Sequence, residues 1–161
     1  PPRSTLFPYT TLFRSVSGTT SDDTVACTAL QGSSTITPES KYVHPMQPMG
    51  RAMAGCAADI HDIVIRNIRT GGRHHAVICL ATSPQVYNIL IENVVEEAES
   101  TREACVRIYT GYGSGYQPGN LRNIAVRNVV STGARHAVMV KAAVRDVEFR
   151  SIRQLDRKSV V

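Results

Sequence analysis

Four pairs of chemically capable residues recur along this chain, each just ahead of a short apolar segment. They are Asp22-Asp23, His74-His75, Arg102-Glu103 and Arg135-His136. The segments that follow are TVACTAL from Thr24, AVICLAT from Ala76, ACVRIYT from Ala104 and AVMVKAA from Ala137. If those segments stack, the pairs form one ridge of carboxylates, imidazoles and guanidiniums. Neighbouring carboxylates suit acid/base work, because one charge raises the pKa of the other and keeps that group protonated. A solvated turn ridge held by local ion pairs is the plainer reading of the same residues.

The elements that would position the ridge can be read from a repeat. DIVIRNI from Asp62, NILIENV from Asn88, NIAVRNV from Asn123 and DVEFRSI from Asp146 share one pattern. Each starts with Asn or Asp, carries apolar residues with a charged residue and an Asn or Ser between them, and ends apolar. The starts lie 26, 35 and 23 residues apart. Apolar alternation predicts strands with one buried face. The Asn after the Arg or Glu predicts a strand end, where its side chain can bond free backbone groups. Two strand types per unit and a period in the twenties predict an all-β fold, a right-handed parallel β-helix of about four to five coils. A β-sandwich of alternating strands would not require such motif repetition.

Residues 31–59 break the period. They are rich in Pro, Ser and Met and predict a long insertion leaving the solenoid, either beside a binding face or shielding one side. A shorter loop from Gly111 to Gly119 accounts for the 35-residue interval. Its Tyr112 and Tyr116 could stack on a sugar ring, although turn tyrosines are common. Of the cysteines, Cys27 and Cys79 hold equivalent places and are expected to stack as buried thiols. Cys105 lies in the same strand type, and Cys56 in the insertion. No Cys-x-x-Cys is present, so a zinc site is not expected.

The two ends read differently from the rest. Thr5 to Ser15, TLFPYTTLFRS, resembles the conceptual translation of a common sequencing adapter over all eleven residues. The tail Asp156-Arg157-Lys158-Ser159-Val160-Val161 resembles the opposite strand of the same adapter. Segments 1–15 and 156–161 are therefore expected to be non-native, leaving 16–155 as part of a β-helix domain truncated at both ends. Such scars are set aside in fold reasoning. The charge changes with them. The formal net charge is +5. Arg3 and Arg14 supply +2 of it and the tail +1, which leaves +2. A nucleic-acid partner loses its electrostatic support. No apolar run approaches the ~20 residues of a membrane span.

Residues 18–152 resemble the polygalacturonase-type glycoside hydrolases of the pectin-degrading β-helix superfamily. Ser21-Asp22-Asp23-Thr24-Val25-Ala26 is similar to that family's Asp-Asp segment. Gly71-Gly72-Arg73-His74-His75 sits where the family has its Gly-His-Gly histidine. Ala104-Cys105-Val106-Arg107-Ile108-Tyr109-Thr110 is similar to its Gly-Val-Arg-Ile-Lys-Thr. The resemblance implies hydrolysis with inversion, water standing between separated carboxyl groups. It implies that Asp22 and Asp23 are the general acid and a water-activating partner, and that His74 or His75 supports the acid. It implies that Arg107 grips a substrate carboxylate with its planar fork.

Tyr109 stands where the family has its substrate-binding lysine, and a Tyr does not pair with a uronate carboxylate as Lys does. The family's third carboxylate would fall one coil before Asp22, within segment 1–15, so the chain is expected to be inactive as it stands. The implied partner is a polysaccharide, acidic or decorated, with no cofactor, no metal, no nucleic acid and no membrane. The implied location is secreted or cell-surface. The solenoid ends are expected to associate. A non-catalytic carbohydrate-binding, adhesin or tailspike-like β-helix is the alternative, and a polysaccharide lyase or epimerase is third.

Overall fold

The computed structural model describes residues 11–29, 59–97, 103–110 and 115–155. Segments 1–10 and 156–161, nearly all of the 31–59 insertion with Cys56, and also Arg102 and Tyr112 lie outside the described residues.

The described chain is all β. Its strands run β1 (Thr11–Gly18), β2 (Val25–Ala29), β3 (Ile60–Thr70), β4 (Val77–Ala81), β5 (Val86–Glu96), β6 (Ala104–Tyr109), β7 (Leu121–Ser131), β8 (His136–Lys141) and β9 (Arg145–Gln154). They alternate between two sheets. The odd strands form a five-stranded sheet in the order β1-β3-β5-β7-β9, and the even strands a four-stranded sheet in the order β2-β4-β6-β8. All seven pairings are parallel. Each pass of the chain thus adds one strand to each sheet, an arrangement consistent with a β-solenoid. Among the described residues no helix is long and apolar enough to cross a membrane.

The register agrees with the repeat. Ile63 aligns with Ile89, Ile89 with Ile124, and Ile124 with Val147, which reproduces the intervals of 26, 35 and 23 residues. The buried core runs between the sheets. It includes Ile65, Ile91 and Val126 from the long strands and Val77, Cys79, Val106 and Ile108 from the short ones. Cys27 and Cys79 are aligned, buried and free, as expected.

The long strands differ from the expectation in one respect. The Asn after the charged residue does not end its strand. Asn67, Asn93 and Asn128 lie inside β3, β5 and β7, and so do Asp62, Asn88 and Asn123. All six have positive φ, between 49° and 58°. Asn and Asp are the side-chain-bearing residues that visit this left-handed region most readily. Each such residue shifts the alternation by one. In β5 the buried positions are Val86, Ile89, Ile91, Val94 and Glu96. The spacing is two within a straight stretch and three across each bend.

The bends also stack side chain on side chain. Asn88 Nδ2 donates to Asp62 Oδ1 (2.8 Å), and Asn123 Nδ2 to Asn88 Oδ1 (2.7 Å). Asn93 Nδ2 donates to Asn67 Oδ1, and Asn128 Nδ2 to Asn93 Oδ1, both at 3.0 Å. The bend side chains therefore bond one another, where the sequence suggested bonds to free backbone. Parallel strands ~4.8 Å apart bring like residues within this reach.

β1 crosses the 15/16 boundary drawn from the sequence. Leu12-Phe13-Arg14-Ser15-Val16 follows the same pattern as Glu148-Phe149-Arg150-Ser151-Ile152. Ser15 and Ser151 take the same left-handed φ, 59° and 54°. Arg14 aligns with Arg66, and Val16 with Ile68. Residues 11–15 continue the sheet because their side-chain pattern matches that of the other long strands.

Candidate functional site

The turns that lead from the long strands into the short ones carry the chemically capable pairs. The first two turns are bonded to each other along their backbones. Gly71 N donates to Gly18 O (3.1 Å), Arg73 N to Thr20 O (3.0 Å) and Thr24 N to His75 O (2.9 Å). Gly72 makes this close approach possible. A Cβ there would come within 2.6 Å of the Thr20 carbonyl oxygen, closer than packed atoms allow. Gly72 before the histidines is thus a packing requirement of the stacked turns.

The stacking brings Asp22, Asp23, His74 and His75 together at the N-terminal end of the four-stranded sheet, and Arg107 reaches His75 from within β6. The third turn departs from the expected ridge by one residue. Ala104 aligns with His136, so Glu103-Ala104, and not Arg102-Glu103, stands level with Arg135-His136. The second-type segments do begin with Ala at 76 and 104, but it is Cys105 whose carbonyl accepts from Ala76 N. Matching by residue type alone was one place off.

Asp23 and His75 are joined through the backbone. His75 N donates to Asp23 Oδ1 at 3.0 Å. Burial raises the Asp23 carboxyl above the ordinary 3.8, against the lowering effect of that bond. The His75 ring points elsewhere. Its Nδ1 lies 2.6 Å from Ala104 O. A carbonyl only accepts, so Nδ1 carries the proton. Its Nε2 lies 3.3 Å from Arg107 Nη1. A guanidinium only donates, so Nε2 offers its lone pair. Both contacts suit the neutral ring. Burial lowers the His75 pKa below 6.5, the nearby Arg107 charge also lowers it, and the Ala104 and Asp23 contacts oppose.

Arg107 lies between three partners. Nη2 pairs with Glu103 Oε2 at 2.8 Å. Nη1 meets His75. The guanidinium carbon sits 3.9 Å above the Tyr109 ring, a cation–π arrangement. The Arg107 Nε atom is buried and has no hydrogen-bond partner.

Asp22 and His74 form a more exposed pair, His74 Nδ1 standing 3.4 Å from Asp22 Oδ1. The structure therefore separates the two histidines, which the sequence left as alternatives. The His74 ring meets Asp22, whereas the His75 ring meets Arg107. Asp22, Asp23 and His74 each offer one ligand atom within 4.8 Å of the others, so this trio could hold a metal ion that the sequence gave no reason to expect.

Tyr116 is tied down. Its hydroxyl donates to Ala143 O at 2.6 Å and the residue packs against the core, so its role here is structural. Sequence reasoning passed over Glu96, which is fully buried. Glu96 Oε2 accepts from Ser131 Oγ (2.8 Å), Gly133 N (3.0 Å) and Ala134 N (3.2 Å). It shapes the turn that carries Arg135 and His136. The signal was a charged residue at an inward position of the three-and-two spacing.

Comparison with family models, with curated proteins and with solved structures finds no match for this chain.

Proposed function

We propose that this chain is part of a right-handed parallel β-helix that acts on a polysaccharide. Its activity would be that of a polygalacturonase-like, inverting glycoside hydrolase. The observation that carries the reading is the convergence of Asp23, His75 and Arg107 from three successive units at the N-terminal end of the four-stranded sheet. Burial of Asp23 favours a protonated carboxyl, the form a general acid needs. Asp22, on the exposed side beside His74, would face the attacking water. Neutral His75 would hold Arg107 in place from behind. The Arg107 fork would take a substrate carboxylate in exchange for Glu103, whose half-exposed side chain can be displaced. Tyr109, already stacked under the guanidinium, would offer its ring to the sugar.

The reading places a third carboxylate one unit before Asp22. The chain alone should then bind acidic oligosaccharide without cleaving it. Titration with oligogalacturonate, followed by NMR, should show binding that Arg107→Ala abolishes. Reducing-sugar release should not exceed that of an Asp22→Asn control. Release well above the control would overturn the expected inactivity. Binding that survives Arg107→Ala would overturn the site. If an upstream extension carrying an Asn-x-Asp segment restores no cleavage, the non-catalytic binding module takes precedence.

A further inference from the structure

We infer that the chain associates head to tail with copies of itself, β9 of one molecule adding to β1 of the next. This stands apart from the functional reading. Among the described residues β1 and β9 are the end strands of the five-stranded sheet, and each pairs on one side only. Strand ends of this kind present a row of unused backbone donors and acceptors.

The two edges fit one another in register. Phe13-Arg14-Ser15-Val16 on β1 and Phe149-Arg150-Ser151-Ile152 on β9 are the same motif. Their serines share the left-handed bend that every interior junction also aligns. Continuing the parallel pairing across copies would set Phe149 on Phe13, Ser151 on Ser15 and Ile152 on Val16. The phenylalanines occupy core positions of end layers. Phe13 aligns with Ile65 and Phe149 with Val126, both of which are fully buried. Phe13 is nonetheless 39% and Phe149 43% exposed, and among the described residues no further strand lies over either. In the second sheet Val140 shows the same condition: it aligns with buried Ile108 and is 38% exposed. The occupant that satisfies both sheets at once is another copy of the same repeat.

The contact is heterologous and continues the stacking direction of the sheet, so it grows beyond a dimer. The charges oppose it. Arg150 would meet Arg14 on the outer row, as Arg14 already meets Arg66 inside the molecule. Screening weakens that repulsion while apolar burial remains. Association should therefore strengthen with salt.

Sedimentation velocity on the whole chain tests this. The weight-average mass should rise with concentration past that of a dimer, and rise further from low to high sodium chloride. Phe13→Lys and Phe149→Lys should each reduce assembly strongly. An equimolar mixture of the two should recover a species that stops at the dimer, since each variant keeps one intact edge. A monomer at every concentration overturns the inference. So does a Phe149→Lys effect with none for Phe13→Lys, which would mean a symmetric β9–β9 contact. If either variant loses its β circular-dichroism signal, the unsubstituted chain decides: assembly that weakens as salt is added overturns the inference.

Discussion

The backbone N–H of His75 donates to Asp23 Oδ1 at 3.0 Å, while the His75 ring turns away from Asp23 toward Arg107. One residue thus serves two functional groups on either side of it in the stack. The tie to Asp23 does not depend on the His75 side chain, but the support of Arg107 does. The ring is held in one tautomer by the Ala104 carbonyl.

That arrangement makes a prediction about pH. His75 has a folded pKa below its ordinary 6.5, chiefly through burial. Unfolded chains then bind more protons as pH falls below 6.5, and this contribution to stability is lost as pH falls through the folded value. Asp23 has a folded pKa above 3.8, again chiefly through burial. Its contribution has the opposite sign: stability declines as pH rises from 3.8 through the folded value. The two trends oppose each other in the acid range. Asp62, held below 3.8 by its bonds to Asn88 and His61, adds a loss of stability as pH falls that is common to all variants, so each variant's melting profile is read against that of the unsubstituted chain. Relative to the unsubstituted chain, His75→Gln should tilt the profile toward a melting temperature that falls with rising pH, and Asp23→Asn toward one that rises. Parallel profiles for all three proteins would show that these groups do not govern the acid response.

The asparagine ladder can be tested at its centre. Asn93 donates to Asn67 and accepts from Asn128 at a φ of 58°. Asn93→Ala loses both bonds and forces a methyl-bearing residue into the left-handed region, which costs about 1–2 kcal/mol for the backbone alone. Asn93→Gly loses the bonds but not the backbone preference. Urea unfolding should therefore rank the stabilities Asn, then Gly, then Ala. An Ala variant as stable as the Gly variant would mean that the bend contributes little.

Glu96 offers a third test. Removing its carboxylate leaves the Gly133 and Ala134 amides and the Ser131 hydroxyl without their acceptor. Each buried orphan costs about 1–3 kcal/mol, partly relieved by relaxation. Glu96→Ala should lower unfolding free energy by about 2–4 kcal/mol, with Glu96→Gln intermediate. A loss below about 0.5 kcal/mol, the size of an ordinary surface change, would show that water takes over the role.

Much of this architecture could be read in the chain itself. The intervals between Asp62, Asn88, Asn123 and Asp146 are the register of the long strands, because stacking repeats align like residues. The pairing of Cys27 with Cys79 followed in the same way. The apolar pattern also determined which residues enter the core. Even the spacing of three across each Asn was present in NILIENV, although its meaning depends on a backbone angle that residue identity permits without requiring.

The tertiary structure decided the rest. It set the third turn one residue away from the alignment by type, since hydrogen bonds between neighbouring units, and not letters, determine which residues stand level. It assigned the His74 ring to Asp22 and the His75 ring to Arg107, a choice between adjacent residues that points them to different sides of one turn. It buried Glu96 among donors that lie more than thirty residues along the chain. A repeat in sequence determines which residues stack. Only the folded path of the turns determines which atoms meet, because the buried face fixes the register of the strands and leaves the turn side chains free to reach different partners.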